Sequence, residues 1–273
     1  MENHKNKTDP ADAIFKLFLC FMKIVLVLLT FIAGYLIFNM GSSFLLEGRI
    51  QGSALYSHSL GLLGGGLVTL LVLGRQEKIP LERKGIKTLP GILCVVLFGI
   101  GTALIGNFLM SLIPFEAIGG QEALQNNEVM YAPPFVARLV MYGIIAPLAE
   151  ESLFRYGIYH RCKEGLTVWG ALILSSLLFG IYHGNLQQGV YAFFMGILMA
   201  GIMELTGNFW MPVLFHGIAN VTVNLCFEFE ILSKLAFSGP GLGLLGIVTI
   251  LGGIGILYFY LFSQKENKCS KKD

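Results

Sequence analysis

The feature that most constrains this chain is its series of apolar runs, each long enough to cross a lipid bilayer as a helix. A spanning helix needs ~20 mostly apolar residues. Such runs are read at Ile14 to Met40, Gly52 to Gly74, Leu89 to Ile113, Phe135 to about Cys162, Thr167 to about His183, Leu186 to about Leu205, Phe209 to about Cys226 and Pro240 to Phe262. Only 13% of the 273 residues are charged, 55% are hydrophobic, and the mean hydropathy is +0.70. No ordinary soluble domain of this length carries so little charge. The expected fold is all-α, a polytopic transmembrane helix bundle of about eight spans. Three regions are expected: 1–133 with N-terminal spans, 134–226 as the core helices, and 227–273 with an amphipathic connection, the last span and a basic tail. Gly61, Gly64, Gly65 and Gly66 are expected to loosen the second span, which could be re-entrant, and Gly41 to Gln51 reads as a loop.

The formal net charge is only +2, and the basic residues sit in loops and tails, so they read as topology signals and not as a nucleic-acid surface. Arg75, Lys78, Arg83, Lys84 and Lys87 share a loop; Lys265, Lys268, Lys271 and Lys272 make a basic tail; Glu116, Glu122 and Glu128 lie in a loop with no Lys or Arg. Eight spans put both termini and the basic loop on one side, which the positive-inside rule makes cytoplasmic. The expected localisation is therefore integral membrane and multi-pass. Lys16 and Lys23 interrupt the first run and no cleavage site follows, so that helix is expected to stay as an anchor. Cys20, Cys94, Cys162, Cys226 and Cys269 show no metal-binding spacing.

Within the fourth run stand Glu150, Glu151 and Arg155. An intramembrane charge costs at least ~2.5–3.5 kcal/mol on insertion scales, which makes such residues functional candidates. Glu151 and Arg155 are four apart, share a helix face and can pair. Glu150 points about 100° away, toward something else. His183 answers that description. It and Glu150 lie almost equally far, ~25 Å at 1.5 Å per residue, from the turn near Gly165 and Leu166. His216 reaches a similar depth from the turn at Gly207, and Asn220 shares its face. These types suggest water activation: Glu150 as general base, His183 holding or shuttling the proton, His216 and Asn220 donating to an oxyanion. An apolar wall would strengthen each interaction.

Plainer roles stand beside these. A lone intramembrane His is more often a packed core residue, and Asn220 alone would be interhelical glue. Glu151 with Arg155 reads as a structural pair orienting Glu150, and Phe179 as packing against His183. Arg138 is expected to snorkel to the outer interface and Glu204 to be solvated. Asn224 extends the polar face. His4, His58 and His160 receive no role. No cofactor is expected; zinc on Glu150, His183 and His216 is the alternative, without the HExxH spacing.

Three motifs then resemble one family. Glu150-Glu151-xxx-Arg155, Phe179-xxx-His183 and His216-xxx-Asn220 match, in order, the EExxxR, FxxxH and HxxxN of the CPBP intramembrane proteases, which include type II CAAX prenyl endopeptidases and bacteriocin-processing and immunity proteins. The resemblance covers roughly residues 134–224. It implies a glutamate-dependent intramembrane endopeptidase, with Glu150 and His183 activating water and His216 and Asn220 stabilising the oxyanion. It also implies membrane lipid and a peptide or membrane-associated protein substrate as partners, with a prenylated or otherwise lipidated substrate as one option. The alternatives are a non-catalytic membrane scaffold, a zinc-dependent version and, third, a transporter, against which stands the lack of an inverted repeat.

Overall fold

The computed structural model describes residues 10–50, 52–74, 88–115, 117 and 130–269. The basic loop from Arg75 to Lys87, the acidic-loop residues Glu116, Glu122 and Glu128, and Lys5, Lys7, Lys271 and Lys272 lie outside the described residues. Every regular element among the described residues is helical. Hydrocarbon offers no water to satisfy backbone groups, so each apolar run must close its own hydrogen bonds.

In chain order the helices are α1 (Pro10–Leu46), α2 (Ser53–Gly74), α3 (Leu89–Ser111), the segmented α4 described below, α5 (Val168–Tyr182), α6 (Leu186–Thr206), α7 (Trp210–Glu228), α8 (Glu230–Ala236) and α9 (Gly239–Cys269). Six of them, α1, α2, α3, α6, α7 and α9, are long and apolar enough to cross a membrane. The expected loop at Gly41 to Gln51 is shorter than the sequence suggested. α1 runs on to Leu46, Ser42 Oγ bonds back to the Phe38 carbonyl at 2.6 Å, and the turn is made by Gly48 and Gly52, whose φ angles of 71° and 73° suit glycine.

The two remaining runs carry two of the three motifs, Glu150-Glu151-xxx-Arg155 and Phe179-xxx-His183. α4 is contiguous but segmented: Phe135–Val140, a π segment Met141–Ile145, Ala146–Glu151, a second π segment Ser152–Tyr159, and His160–Gly165. All eight residues of the second π segment are buried, so α4 is the core of the bundle. α5, 15 residues long, reaches about 22 Å and stops short of the ~30 Å hydrocarbon thickness. Thr167 caps its start by accepting from the Gly170 N–H at 3.1 Å. Its far end is the turn His183-Gly184-Asn185, where Gly184 has φ 72° and Asn185 caps α6 by accepting from the Gln188 N–H at 2.8 Å.

The glycines of α2 fasten the bundle where looseness was expected. A Cβ on Gly64 would lie 2.3 Å from the Phe38 Cγ, and one on Gly66 would lie 2.7 Å from the Ala149 Cα. α2 therefore lies backbone-close against α4 at the residue preceding Glu150, an approach that only a glycine allows.

Two expectations about charged residues are corrected. Arg138 does not snorkel. It is 4% exposed, paired with Glu228, donating to the Tyr131 carbonyl at 2.9 Å, and set among the Tyr131, Phe135 and Phe227 rings. The carboxylate, the Tyr131 carbonyl and the rings engage the two terminal nitrogens locally, which weakens the drive to reach for water. Glu204 is not simply solvated: it accepts from Tyr159 Oη at 2.8 Å and Lys163 Nζ at 2.5 Å, tying α6 to α4. Lys23 of α1 pairs with Glu164 at the end of α4.

Candidate active site

The first π segment of α4 follows from Pro147. A proline has no N–H, so the carbonyls before it lose a helical donor. The chain widens by one residue: the Ala146 N–H bonds to the Met141 carbonyl, five residues back. In that register the Tyr142 carbonyl would need the Pro147 N–H, which does not exist. Asn220 of α7 supplies the missing donor, its Nδ2 lying 2.9 Å from the Tyr142 oxygen. α7 comes this close because Gly217 faces Gly143; a Cβ on Gly217 would lie 2.6 Å from the Gly143 carbonyl. A break in one helix and a glycine contact with another thus place His216 and Asn220 beside Glu150 and Glu151.

The two glutamates separate as their helix angle requires. Glu150, 8% exposed, lines a cavity of about 690 Å³. Glu151, fully buried, turns away from it and lies 3.1 Å from Arg155 Nε. The guanidinium reaches the Gly196 carbonyl of α6 at 3.2 Å and lies over the Phe179 ring at 4.5 Å. Phe179 packs edge-on against His183 and His216, with ring centroids 4.8 Å and 5.9 Å away. The three sequence motifs are therefore one packed unit, with Phe179 at its centre.

Hydrogen bonding assigns the ring nitrogens. His216 Nδ1 is 2.9 Å from Glu151 Oε1, and a carboxylate only accepts, so Nδ1 carries the proton. Its Nε2 then faces Glu150 Oε2 at 3.8 Å. Glu151 thus holds both Arg155 and His216, a second link that the sequence spacing did not reveal. His183 Nδ1 donates to the Phe179 carbonyl at 2.8 Å, which leaves its Nε2 as an acceptor in the neutral ring.

His183, His216 and Asn220 line the same cavity as Glu150. So does His58 of α2, to which no role was given; its Nδ1 pairs with Tyr35 Oη at 2.9 Å. It belongs to no motif, and the only sequence signal was a histidine inside an apolar run. No three His, Cys, Asp or Glu side chains among the described residues stand close enough to hold a metal ion together.

Residues 132–222 match the family described as type II CAAX prenyl endopeptidase Rce1-like. The match bears out the resemblance to the CPBP membrane proteases. The matched segment contains all three motifs and every residue of the packed unit around Phe179. Among curated proteins the chain is similar to the "Putative membrane peptidase YdiL" of Bacillus subtilis, 27% identical over 58% of this chain and 65% of that protein. It is similar to the "Membrane-embedded CAAX protease MroQ" of Staphylococcus aureus, 26% identical over 45% of this chain and 53% of that protein. It is also similar to an "Uncharacterized 24.3 kDa protein" of Escherichia coli, 28% identical over 66% of this chain and 83% of that protein. The matches thus span a half to two thirds of the first two relatives. No solved structure matches the chain.

Proposed function

We propose that the chain is an intramembrane endopeptidase, cutting a peptide bond of a membrane-associated or lipidated substrate with water activated by Glu150. The observation that carries this reading is the convergence of Glu150, His183, His216 and Asn220 on one cavity. Two acceptors, the Glu150 carboxylate and His183 Nε2, suit the two O–H bonds of a water. As its oxygen attacks the substrate carbonyl carbon, one proton passes to Glu150. The carbonyl oxygen becomes an oxyanion. The Asn220 Nδ2 hydrogen not used on Tyr142 can donate to it, as can His216 Nε2 when that ring is charged. Collapse breaks the C–N bond, and Glu150 returns its proton to the leaving amine. Glu151 keeps the His216 ring turned toward Glu150, and Phe179 excludes water behind it.

The test is cleavage in proteoliposomes. An internally quenched CAAX peptide bearing a farnesyl group on its cysteine, an otherwise equal peptide anchored by an apolar helix, and a folded water-soluble protein are offered to the purified chain. At least one membrane-anchored peptide is expected to be cut and the folded protein spared. Cutting of neither peptide, or efficient cutting of the folded protein, counts against the reading. Activity lost to a chelator and restored by zinc would favour the zinc-dependent version.

We infer further that both termini and the loop around Lys84 face the cytoplasm, because Lys and Arg concentrate there. In a cysteine-free background, Lys84→Cys is expected to react with an impermeant maleimide only after the cells are opened. Labelling of intact cells would reverse the orientation.

A further inference from the structure

The cavity that holds Glu150 runs toward one end of the bundle. α2 lines it over 55–62, α3 over 107–110, α4 over 141–150, α5 and the turn after it over 179–185, α6 over 187–199 and α7 over 216–227. These stretches are the earlier parts of α2, α4 and α6 and the later parts of α3, α5 and α7. Successive spans of a bundle run antiparallel, so all six stretches lie toward the same end. Exposure follows the same direction. At the rim Phe227 is 56% and Tyr182 40% exposed, while at the floor Phe179 is 2% and Met199 1% exposed. The rim half also carries Asn107, Asn185 and Gln187, which suit water. Beyond the floor the bundle is packed shut: Arg155, Ile158 and Tyr159 of α4 and Phe215 of α7 are buried. Among the described residues, the way to Glu150 therefore leads in from the rim.

Charge indicates which face of the membrane the rim meets. The basic run 75–87 joins the other ends of α2 and α3, the ends away from the rim. Lys16 and Lys23 of α1 and Arg161 and Lys163 of α4 lie at that far end too, where Lys23 pairs with Glu164. At the rim end the described cations are Arg49, Arg138 and Lys234, and the last two are paired with Glu228 and Glu230. Glu116, Glu122 and Glu128 join α3 to α4 at this end with no Lys or Arg between them. The Lys and Arg bias orients a polytopic chain with its basic side in the cytoplasm.

We propose that the cavity opens to the outer face of the membrane, opposite the basic loop, and takes its substrate there, as a segment at the outer leaflet next to a membrane anchor. The assignment rests on the endopeptidase reading for the cleavage and on the cytoplasmic basic loop for the side. It also sets an order of events. A polar peptide segment does not cross hydrocarbon unaided. A membrane-translocation step must therefore supply the substrate, and the freed fragment leaves on the outer side. A lipidated chain end held at the inner leaflet lies on the packed side of the floor, away from Glu150.

The experiment labels single cysteines of the full chain, in a cysteine-free background, in right-side-out and inside-out membrane vesicles. The probe is a small, impermeant, cationic methanethiosulfonate. Met195→Cys stands on the cavity wall, ~14 Å in from the start of α6 at 1.5 Å per residue. Gln187→Cys stands at the rim and serves as a second variant; equal thermal midpoints show that each folds. Both are expected to lose their free thiol in right-side-out vesicles and to keep it in inside-out ones, with Lys84→Cys doing the reverse. The proposal is overturned if Met195→Cys reacts from the same face as Lys84→Cys or from neither face. It is overturned equally if all three positions exchange faces, which places the rim in the cytoplasm. A second arm takes whichever anchored peptide is cut in proteoliposomes and expresses it in cells beside the chain, on either side of its anchoring helix. The outward-facing form is expected to be cut and the inward-facing form spared; cutting of the inward-facing form overturns the proposal. Labelling reports the opening whether or not any peptide is cut. Failure of the endopeptidase reading, seen as no cleavage in proteoliposomes, is thereby distinct from failure of the outward opening.

Discussion

Glu150→Gln is expected to abolish cleavage while leaving the thermal midpoint at or above that of the parent chain. The amide keeps the shape of the side chain and its capacity for hydrogen bonds, but it cannot take a proton from water. The loss should approach the whole effect of the base, on the order of 10²-fold or more. Stability behaves differently, because no close partner among the described residues depends on this carboxylate. Glu150 lies 3.8 Å from His216 Nε2, while the shorter bond to that ring comes from Glu151 at 2.9 Å. Burying a charge costs free energy, so a neutral amide at a site 8% exposed should be tolerated or mildly stabilising. Cleavage rate and thermal midpoint, measured on the same detergent preparation, decide the matter. Turnover near that of the parent chain would end the assignment of Glu150 as the base.

Glu151→Ala should do the reverse and damage the fold first. Glu151 and Arg155 are both 0% exposed. Removing the carboxylate strands a guanidinium under the Phe179 ring and leaves His216 Nδ1 without its acceptor. Breaking a buried pair in this way costs about 3–5 kcal/mol. For a chain of this size that lowers the midpoint by on the order of 10 °C. Activity should fall as well, because the His216 ring loses the contact that orients it. The double variant Glu151→Leu/Arg155→Met tests the two roles separately. Replacing both members of a buried pair by apolar groups is often neutral or stabilising, so the midpoint should recover. Activity should not, since His216 remains untethered. A midpoint for Glu151→Ala equal to the parent's would show that the pair carries no structural weight. Full activity in the double variant would show that Glu151 does not position His216.

The contrast between neighbouring glutamates shows where sequence reasoning succeeded. Helix geometry alone placed Glu150 and Glu151 on different faces, and four-residue spacing paired Glu151 with Arg155. Equal distance from the turn at Leu166 matched Glu150 with His183, and both line one cavity. These are local or nearly local relations, fixed by rise and angle per residue. Composition likewise determined the all-helical class, because runs this apolar leave a backbone no other way to satisfy itself in lipid.

The tertiary structure decided what depends on contact between distant segments. That Glu151 also binds His216, 65 residues away, could not be read from spacing. Asn220 was read as an oxyanion donor, yet one of its two N–H bonds is spent on the Tyr142 carbonyl that Pro147 leaves open. The proline was visible in the sequence; the helix that would repair it was not. Arg138 was misplaced for the same reason, since snorkelling is the default for a cation without partners, and its partners Glu228, Tyr131 and Phe227 come from other elements. The sequence by itself determined helices, faces and approximate depths. Only the packing of α2, α4 and α7, brought backbone-close at Gly66 and Gly217, decided which polar groups meet and which hydrogen of each remains free.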